Sequence, residues 1–193
     1  MNNIFRGLGI ALVTPFKQNG EIDYDALERL IEYQIENGAD FFTILATTGE
    51  SPCLSAEEKN ELTKTIVKIV GGRVPILKYC GGNYTAAVVE EIRQTDWKGI
   101  DGILSICPYY NKPSQEGLYQ HFKAIAEVSP LPIVLYNVPG RTGVNMKAET
   151  TVRIATDFPN VVAIKEAAGS LEQVDEIIKN KPKHFEVISG DDA

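Results

Sequence analysis

Short apolar runs recur along the chain, and each is followed by a longer segment in which apolar residues repeat with helical spacing. The runs recur roughly every 24 to 33 residues, close to the ~30 residues that one strand plus one helix require. This alternation is typical of βα units built around a parallel sheet. Seven strands are predicted, at residues 8–13, 41–46, 74–77, 102–106, 133–136, 161–164 and 185–188.

The segments between the strands carry residues that begin and end helices. A Ser or Asp ahead of an amphipathic stretch accepts a hydrogen bond from the first turn, and glycine suits the end of the last turn. Helices are predicted over 24–37 after Asp23, from Ser55 with Glu58 as a capping box, over 115–128 after Ser114 and over 171–179 after Ser170, with stops at Gly38, Gly71 and Gly72.

Apolar strands alternating with helices fit either a doubly wound open sheet or a closed (β/α) barrel. The first strand is not followed by the Gly-x-Gly-x-x-Gly of a dinucleotide-binding sheet, and polar residues follow the carboxyl ends of many strands, as on the active face of a barrel. A TIM (β/α)8-type barrel has eight strands and about 250 residues. The 193 residues therefore predict one incomplete α/β barrel domain over 1–193, with about seven strands and six helices, without strand eight and the C-terminal helices.

Composition narrows the function classes. The chain is 44% hydrophobic and 23% charged, as in an ordinary globular domain. Its net charge of -7 argues against nucleic acid as a partner, because nucleic-acid-binding proteins cluster Lys and Arg. No secretory h-region and no apolar stretch near the roughly 18 residues of a membrane span is present, so a cytoplasmic protein without a membrane partner is predicted.

The cysteines and histidines do not form a recognisable metal or disulfide pattern. Cys53, Cys80 and Cys107 are widely spaced, and each follows an apolar run, so we expect reduced, buried or half-buried side chains. His121 and His184 lack ligand spacing, so no metal is expected. Walker loops and Gly-x-Ser-x-Gly elbows are also absent from the sequence, which leaves lysine among the standard activated nucleophiles.

Lys165 directly follows the apolar run 161–164, which is apolar enough for burial on both faces. Desolvation there would lower the pKa of the amine, which is the activation that a Schiff-base lysine needs. A strand-end lysine can equally extend to solvent or bind an anion, so this residue alone leaves the alternatives open.

Three loops could supply further groups. Tyr136 ends the predicted fifth strand, and Arg141 follows it, so a phenol and a guanidinium could move protons and bind a carboxylate, or could simply belong to a barrel rim and a turn. Residues 47–51, Thr-Thr-Gly-Glu-Ser, could bind a carboxylate or form an ordinary turn. Residues 108–113 place two tyrosines between prolines, a pattern that serves interfaces as well as sites.

Five segments together resemble one family along essentially the whole chain. They are Thr-Thr-Gly-Glu-Ser at 47–51, Pro-Tyr-Tyr-Asn-Lys-Pro-Ser-Gln-Glu-Gly at 108–117, Tyr-Asn-Val-Pro-Gly-Arg-Thr-Gly at 136–143, Ile-Lys-Glu-Ala at 164–167 and Ser-Gly-Asp-Asp at 189–192. Their order and spacing resemble the dihydrodipicolinate synthases of the pyruvate-dependent N-acetylneuraminate lyase superfamily.

The resemblance implies an aldolase-type lyase that condenses pyruvate with L-aspartate 4-semialdehyde to 4-hydroxy-tetrahydrodipicolinate, on the path to diaminopimelate and lysine. It implies that Lys165 forms an imine with pyruvate and that Tyr136, Thr48 and Tyr110 relay protons. Thr47 and Thr48 would receive the pyruvate carboxylate. No cofactor or metal is implied.

The same resemblance assigns the remaining site residues. Gly190 would line the pocket, and Arg141 would receive the carboxylate of aspartate semialdehyde, which favours this activity over a neuraminate or keto-deoxy-sugar-acid lyase. In the family, the tyrosine matching Tyr110 enters the neighbouring subunit's site, which implies a homodimer or homotetramer. A non-catalytic fragment is the alternative of a different class.

Several positions depart from the family. Ser51, Asn83 and Tyr109 match a lysine-feedback site, but Ala56, Lys59 and Ala87 replace its histidine-type and glutamate positions, so feedback inhibition is not expected. Ala46 stands where glycine is usual, and Lys78, Tyr79 and Cys80 stand where small residues are usual, so Tyr79 is expected to crowd the rim and Lys78 to bring a charge to it.

Overall fold

In the computed structural model, residues 4–191 are described, and they form two compact units. The N-terminal unit comprises Ile4–Tyr79 and Trp97–Asp101, and the C-terminal unit comprises Cys80–Asp96 and residues 102–191. Both units alternate strands with helices. The assignment of residues 1–193 to one domain stays a prediction.

The N-terminal unit contains three parallel strands and two long helices. The strands pair in chain order, with Gly9 opposite Phe41 and Phe42 opposite Ile76. Its elements are β1 (Gly9–Ala11), α1 (Tyr24–Glu36), β2 (Phe41–Ile44), α2 (Ala56–Val70) and β3 (Ile76–Tyr79), with one-turn 3-10 helices at Thr47–Gly49 and Ser51–Cys53.

The C-terminal unit contains four parallel strands, again paired in chain order. One register row runs across all four strands, through Ile106, Tyr136, Lys165 and Ile188. The elements are α3 (Thr85–Gln94), β4 (Gly102–Ile106), α4 (Gln115–Val128), β5 (Ile133–Asn137), α5 (Pro139–Thr142), α6 (Ala148–Asp157), β6 (Val161–Glu166), α7 (Leu171–Asn180) and β7 (Glu186–Ser189).

Burial explains why the apolar runs identified the strands. Every residue of β2, β4 and β5 is buried, as expected for parallel strands covered on both faces. Residues 4–191 contain seven strands and six helices of ten residues or more, in agreement with the predicted numbers.

The helix boundaries follow the predicted capping residues. The Asp23 carboxylate accepts a hydrogen bond from the Ala26 N–H at 2.9 Å, and Ser55 and Glu58 make both bonds of the capping box. Gly71 ends α2 in the left-handed conformation, with φ of 58°. The sequence did not delimit α3 and α6, whose N-cap residues make no side-chain cap.

Four strands extend beyond their predicted ends because polar residues continue the pairing. The strand β3 includes Lys78 and Tyr79, β5 includes Asn137, β6 includes Lys165 and Glu166, and β7 includes Ser189. An apolar run stops at the first polar residue, whereas backbone pairing does not depend on the side chain.

The cysteines correct one expectation. Cys80 and Cys107 are buried, but Cys53 is exposed in the turn after Thr47–Gly49, and all three are free thiols. None of the helices found within residues 4–191 has both the length and the apolar character to cross a membrane.

Candidate active site

The amine of Lys165 lies over the aromatic ring of Tyr136. The two residues are register partners on β6 and β5, and Lys165 Nζ is 4.9 Å from the centroid of the Tyr136 ring. Tyr136 is 5% exposed, whereas Lys165 is half-buried. A ring face attracts an ammonium group, and the partial burial removes water from the amine.

Gly190 leaves room for the lysine side chain. A methyl group at Gly190 would lie 2.8 Å from both Cγ and Cε of Lys165 and 3.1 Å from Cβ of Ala167. Contacts this short do not occur between real side chains, so any larger residue at position 190 would displace the lysine. The structure therefore brings Lys165, Tyr136 and Gly190 together.

A buried hydrogen-bond network lies one residue beyond the lysine and the tyrosine, and sequence reasoning missed it. The Asn137 amide donates to both carboxylate oxygens of Glu166, at 3.0 Å each. The Ala168 N–H donates to Oε1 at 2.9 Å, and Gln173 Nε2 donates to Oε2 at 3.0 Å. The side-chain oxygen of Asn137, Oδ1, accepts from the Met146 N–H at 3.0 Å.

Cys107 borders the same network. Its thiol donates weakly to the side-chain oxygen Oδ1 of Asn137 at 3.8 Å. Burial first, and the negative charge of Glu166 second, raise the pKa of Cys107 far above its usual range. The thiol therefore stays neutral, which fits the expected small buried side chain better than a nucleophile.

Arg141 and the two tyrosines lie on connected loops. Arg141 is exposed on α5, and the Tyr110 N–H donates to the Thr142 carbonyl oxygen at 3.4 Å. Tyr110 is 88% exposed and has a φ of 71°, which is unusual for a residue with a side chain. Tyr109 is also exposed.

Asn83 and Lys112 connect to the same loops. The Asn83 carbonyl oxygen accepts from Asn111 Nδ2 at 3.1 Å. The Lys112 side chain lies so close to Gly143 that a methyl group there would be 3.0 Å from its Cε. The Lys112 contact holds the tyrosine loop against the loop that carries Arg141, and the Asn111 bond holds it against the segment before α3.

The segment at 47–51 is a tight, partly strained turn in the N-terminal unit. Thr47 is half-buried, Thr48 is exposed and Ser51 is buried. Glu50 has a φ of 54°, and Thr14 Oγ1 donates to the Gly49 carbonyl oxygen at 2.7 Å. The turn is therefore held in place by Thr14, which lies in the loop between β1 and α1.

The departures from the family pattern have structural answers in the N-terminal unit. Ala46 has a φ of -80°, so its side chain imposes no backbone strain where the family usually has glycine. Lys78 is only 7% exposed, and its Nζ lies 5.3 Å from the centroid of the Trp97 ring. Tyr79 is half-buried, and Cys80, which belongs to the C-terminal unit, is buried.

The two histidines lie away from Lys165 in sequence and differ in exposure. His121 is buried in α4, where its Nδ1 is 2.8 Å from Thr85 Oγ1, and burial lowers its pKa to about 4. His184 is exposed before β7. His121 is therefore neutral at physiological pH.

Comparison with known proteins gives one consistent result. The Dihydrodipicolinate synthetase family matches the chain over residues 4–193. The 4-hydroxy-tetrahydrodipicolinate synthase of Phocaeicola vulgatus is 59% identical over 97% of this chain, which corresponds to 63% of that protein's length. The chain thus spans less than two thirds of this relative.

Solved structures agree with the sequence match. The dihydrodipicolinate synthase of Thermotoga maritima superimposes with a TM-score of 0.94 at 47% identity, covering 97% of this chain and 64% of that one. The enzyme of Acinetobacter baumannii, solved in complex with pyruvate, has a TM-score of 0.91 at 44% identity, over 96% and 64% of the two chains. These matches confirm the predicted fold class, part of a (β/α)8-type barrel.

Proposed function

This chain belongs to the dihydrodipicolinate synthetase family, and from that premise we propose that the full-length protein condenses pyruvate with L-aspartate 4-semialdehyde. The product would be 4-hydroxy-tetrahydrodipicolinate, on the path to diaminopimelate and lysine. The observation that carries the proposal is the position of the Lys165 amine, 4.9 Å from the centre of the Tyr136 ring at the ends of two paired strands.

The chemistry begins with the amine of Lys165. The neutral amine attacks the keto carbon of pyruvate, and loss of water gives an imine. Loss of a methyl proton converts the protonated imine to an enamine, whose carbon attacks the aldehyde of the second substrate. The amino group of that substrate then displaces Lys165 by closing the ring. No cofactor or metal takes part in these steps.

Tyr136 is proposed to move the protons. Its phenol can both donate and accept a hydrogen bond, so it can deliver a proton to the departing water and take one in a later step. The burial of its ring beside the lysine keeps the phenol in one orientation. Thr48 and Tyr110 are proposed to complete the relay.

The substrate-binding roles are proposals of the same kind. Thr47 and Thr48 would receive the pyruvate carboxylate, and the short turn that holds them supports a fixed binding geometry. Gly190 lines the path of the lysine side chain. Arg141 is exposed on its loop, as a residue that meets an incoming carboxylate must be.

Assembly and location complete the proposed function. The exposed Tyr109 and Tyr110 present aromatic surface suited to a second copy of the chain, which supports a homodimer or homotetramer. The protein would act in the cytoplasm. A regulatory role for Ser51, Asn83 and Tyr109 remains a sequence prediction, and we expect no feedback inhibition by lysine.

Borohydride trapping tests the central step. The full-length protein is incubated with pyruvate and sodium borohydride, which reduces an imine to a stable secondary amine. Mass spectrometry of the digested protein is expected to find the adduct on Lys165. An adduct on another lysine, or none, would contradict the proposed function.

Substrate choice is tested separately. Another pyruvate-dependent aldolase would share the lysine and the tyrosine, so trapping does not distinguish it. Turnover of aspartate semialdehyde and of sialic acid is compared in the unchanged protein and in Arg141→Ala. We expect turnover only with the semialdehyde, and its loss in the variant, while trapping of pyruvate persists. Turnover of sialic acid instead would favour the lyase.

A further inference from the structure

The side chains on the two strand ends form two consecutive pairs that face opposite ways. Tyr136 is the register partner of Lys165, and Asn137 is the register partner of Glu166. Successive side chains of a strand point to opposite faces. The hydrogen bonds between Asn137 and Glu166 therefore lie directly behind the contact between the amine and the ring.

Neutral donors hold the Glu166 carboxylate in a buried position. The residue is 3% exposed, and each oxygen receives two hydrogen bonds, from Asn137 and Ala168 on one oxygen and from Asn137 and Gln173 on the other. None of the salt bridges within residues 4–191 includes Glu166. A buried carboxylate with several donors resists movement, because each lost donor leaves charge unsatisfied.

The donors come from different parts of the C-terminal unit. Asn137 ends β5, Ala168 follows β6, and Gln173 lies in the first turns of α7. The carboxylate therefore connects three elements at the strand ends. Gln173 is itself bonded to Asn145, whose Nδ2 donates to Gln173 Oε1 at 2.8 Å.

The backbone of the same residues fixes the other side of the lysine. The Gly190 N–H donates to the Glu166 carbonyl oxygen at 2.8 Å, and Gly190 is the residue that abuts the Lys165 side chain. The Ala167 N–H donates to the backbone carbonyl oxygen of Asn137 at 2.9 Å. Movement of Glu166 would thus shift both neighbours of Lys165, the tyrosine and the glycine.

We propose that Glu166, held by Asn137 and Gln173, is a positioning residue that keeps the Lys165 amine aligned with Tyr136 for imine formation. Glu166 faces away from the reacting atoms and acts through the backbone of β6 and through Asn137. The inference rests on the proposed function, since it assigns a role in the same imine chemistry.

A reciprocal exchange of amide and carboxylate tests the proposal. Glu166→Gln places an amide NH2 group where a carboxylate oxygen accepted from Asn137 Nδ2, so two donors face each other. The Asn137 side-chain amide cannot simply turn over, because its Oδ1 accepts from the Met146 N–H. Asn137→Asp brings two carboxylates together. The double variant Asn137→Asp with Glu166→Gln restores one donor opposite one acceptor between these two positions, but it does not restore the bond that Asn137 Nδ2 donates to Asn145 Oδ1 at 2.8 Å.

The measured quantity is the rate of pyruvate-dependent borohydride trapping on the full-length protein, at saturating pyruvate and per folded molecule. Each single variant is expected to slow trapping about tenfold to a hundredfold, because a displacement of about 1 Å in a reacting group has effects of this size. The double variant is expected to recover part of the loss, because the bond to Asn145 stays missing. The pyruvate concentration for half-maximal trapping should change less than the rate.

A control and a milder variant keep the test decisive. Glu176→Gln removes an exposed carboxylate from the same helix as Gln173 and should leave trapping unchanged. If thermal unfolding shows that Glu166→Gln does not fold, Gln173→Leu removes one of the two donors to Oε2, together with the hydrogen bonds of Gln173 to Asn145 and to the Met146 carbonyl oxygen. This variant is expected to slow trapping several-fold. Unchanged trapping in that variant would then overturn the proposal.

The possible outcomes separate this inference from the function beneath it. Trapping at the unchanged rate in a folded Glu166→Gln protein, or no recovery in the double variant, would overturn the positioning role alone. If the unsubstituted protein itself forms no adduct with pyruvate at Lys165, the proposed function fails, and the positioning role fails with it.

Discussion

Two lysines near strand ends, one in each unit, lie over aromatic rings at nearly the same distance. In the N-terminal unit Lys78 Nζ is 5.3 Å from the centroid of the Trp97 ring, and in the C-terminal unit Lys165 Nζ is 4.9 Å from that of Tyr136. Lys78 is buried, whereas Lys165 is half-buried. An aromatic neighbour is therefore common to both and does not by itself identify a reactive lysine.

The differences lie in access and in the chemistry of the neighbour. A half-buried amine can meet a small ketone, whereas an amine that is 7% exposed is largely closed to it. The Tyr136 phenol can both donate and accept a hydrogen bond, whereas the Trp97 indole can only donate one. The position that we propose as reactive therefore differs from Lys78 in having an accessible amine beside a phenol that could move protons.

The largest expected effect is a difference in turnover between variants of the two lysines. Lys165→Met should reduce turnover about a thousandfold or more, because it removes the nucleophile. Lys78→Met should keep turnover close to that of the unchanged protein. Steady-state assays with pyruvate and aspartate semialdehyde, together with trapping, provide the measurement. Comparable losses in the two variants would mean that the assignment of the reactive lysine is wrong.

Tyr136→Phe separates the effect of the aromatic ring from that of the phenol, because it keeps the ring beneath the amine and removes only the hydroxyl group. General acid–base groups contribute about a hundredfold to ten-thousandfold, so kcat is expected to fall by at least about a hundredfold. The free energy of unfolding should change little, since the ring still fills its position. A variant with full kcat would show that the ring matters and the phenol does not.

Gly190→Ala tests the space around Lys165, the proposed nucleophile. The added methyl group would stand 2.8 Å from Cγ and Cε of Lys165, so either the lysine or β7 must shift. Trapping is expected to slow about tenfold to a hundredfold. Gly38→Ala is not a suitable control because of its positive φ, whereas Gly140→Ala meets nothing within 4 Å and should leave trapping unchanged.

More of the fold than of the site's surroundings could be predicted from the sequence. Apolar runs located β4 to the residue, because parallel strands are buried on both faces, and Ser114 located the start of α4 through its cap. The boundaries of α3 could not be predicted in the same way, because its N-cap residue Tyr84 makes no side-chain bond.

The site divides in the same way. Lys165 and Tyr136 were expected on adjacent strands because consecutive βα units pair in chain order, and the structure has them there. Glu166 and Asn137 were missed because a polar residue after an apolar run gives no sign of whether a helix covers it. The burial of Lys78 was missed for the same reason.

The smallest expected effect concerns stability in the N-terminal unit. Lys78→Met keeps an unbranched side chain of similar length against Trp97 but removes the charge above the indole ring. A cation–π contact contributes about 0.5 to 1 kcal/mol when exposed and about 2 kcal/mol when desolvated, and removing a buried charge offsets part of that loss. We therefore expect the free energy of unfolding to change by no more than about 1 kcal/mol, measured by urea denaturation of the full-length protein. Lys78→Ala, which also removes the buried stem, should cost more, because it leaves a cavity. If the methionine variant is as destabilised as the alanine variant, the ammonium group stabilises the strand end beyond its packing, and the two lysines differ less than their surroundings indicate.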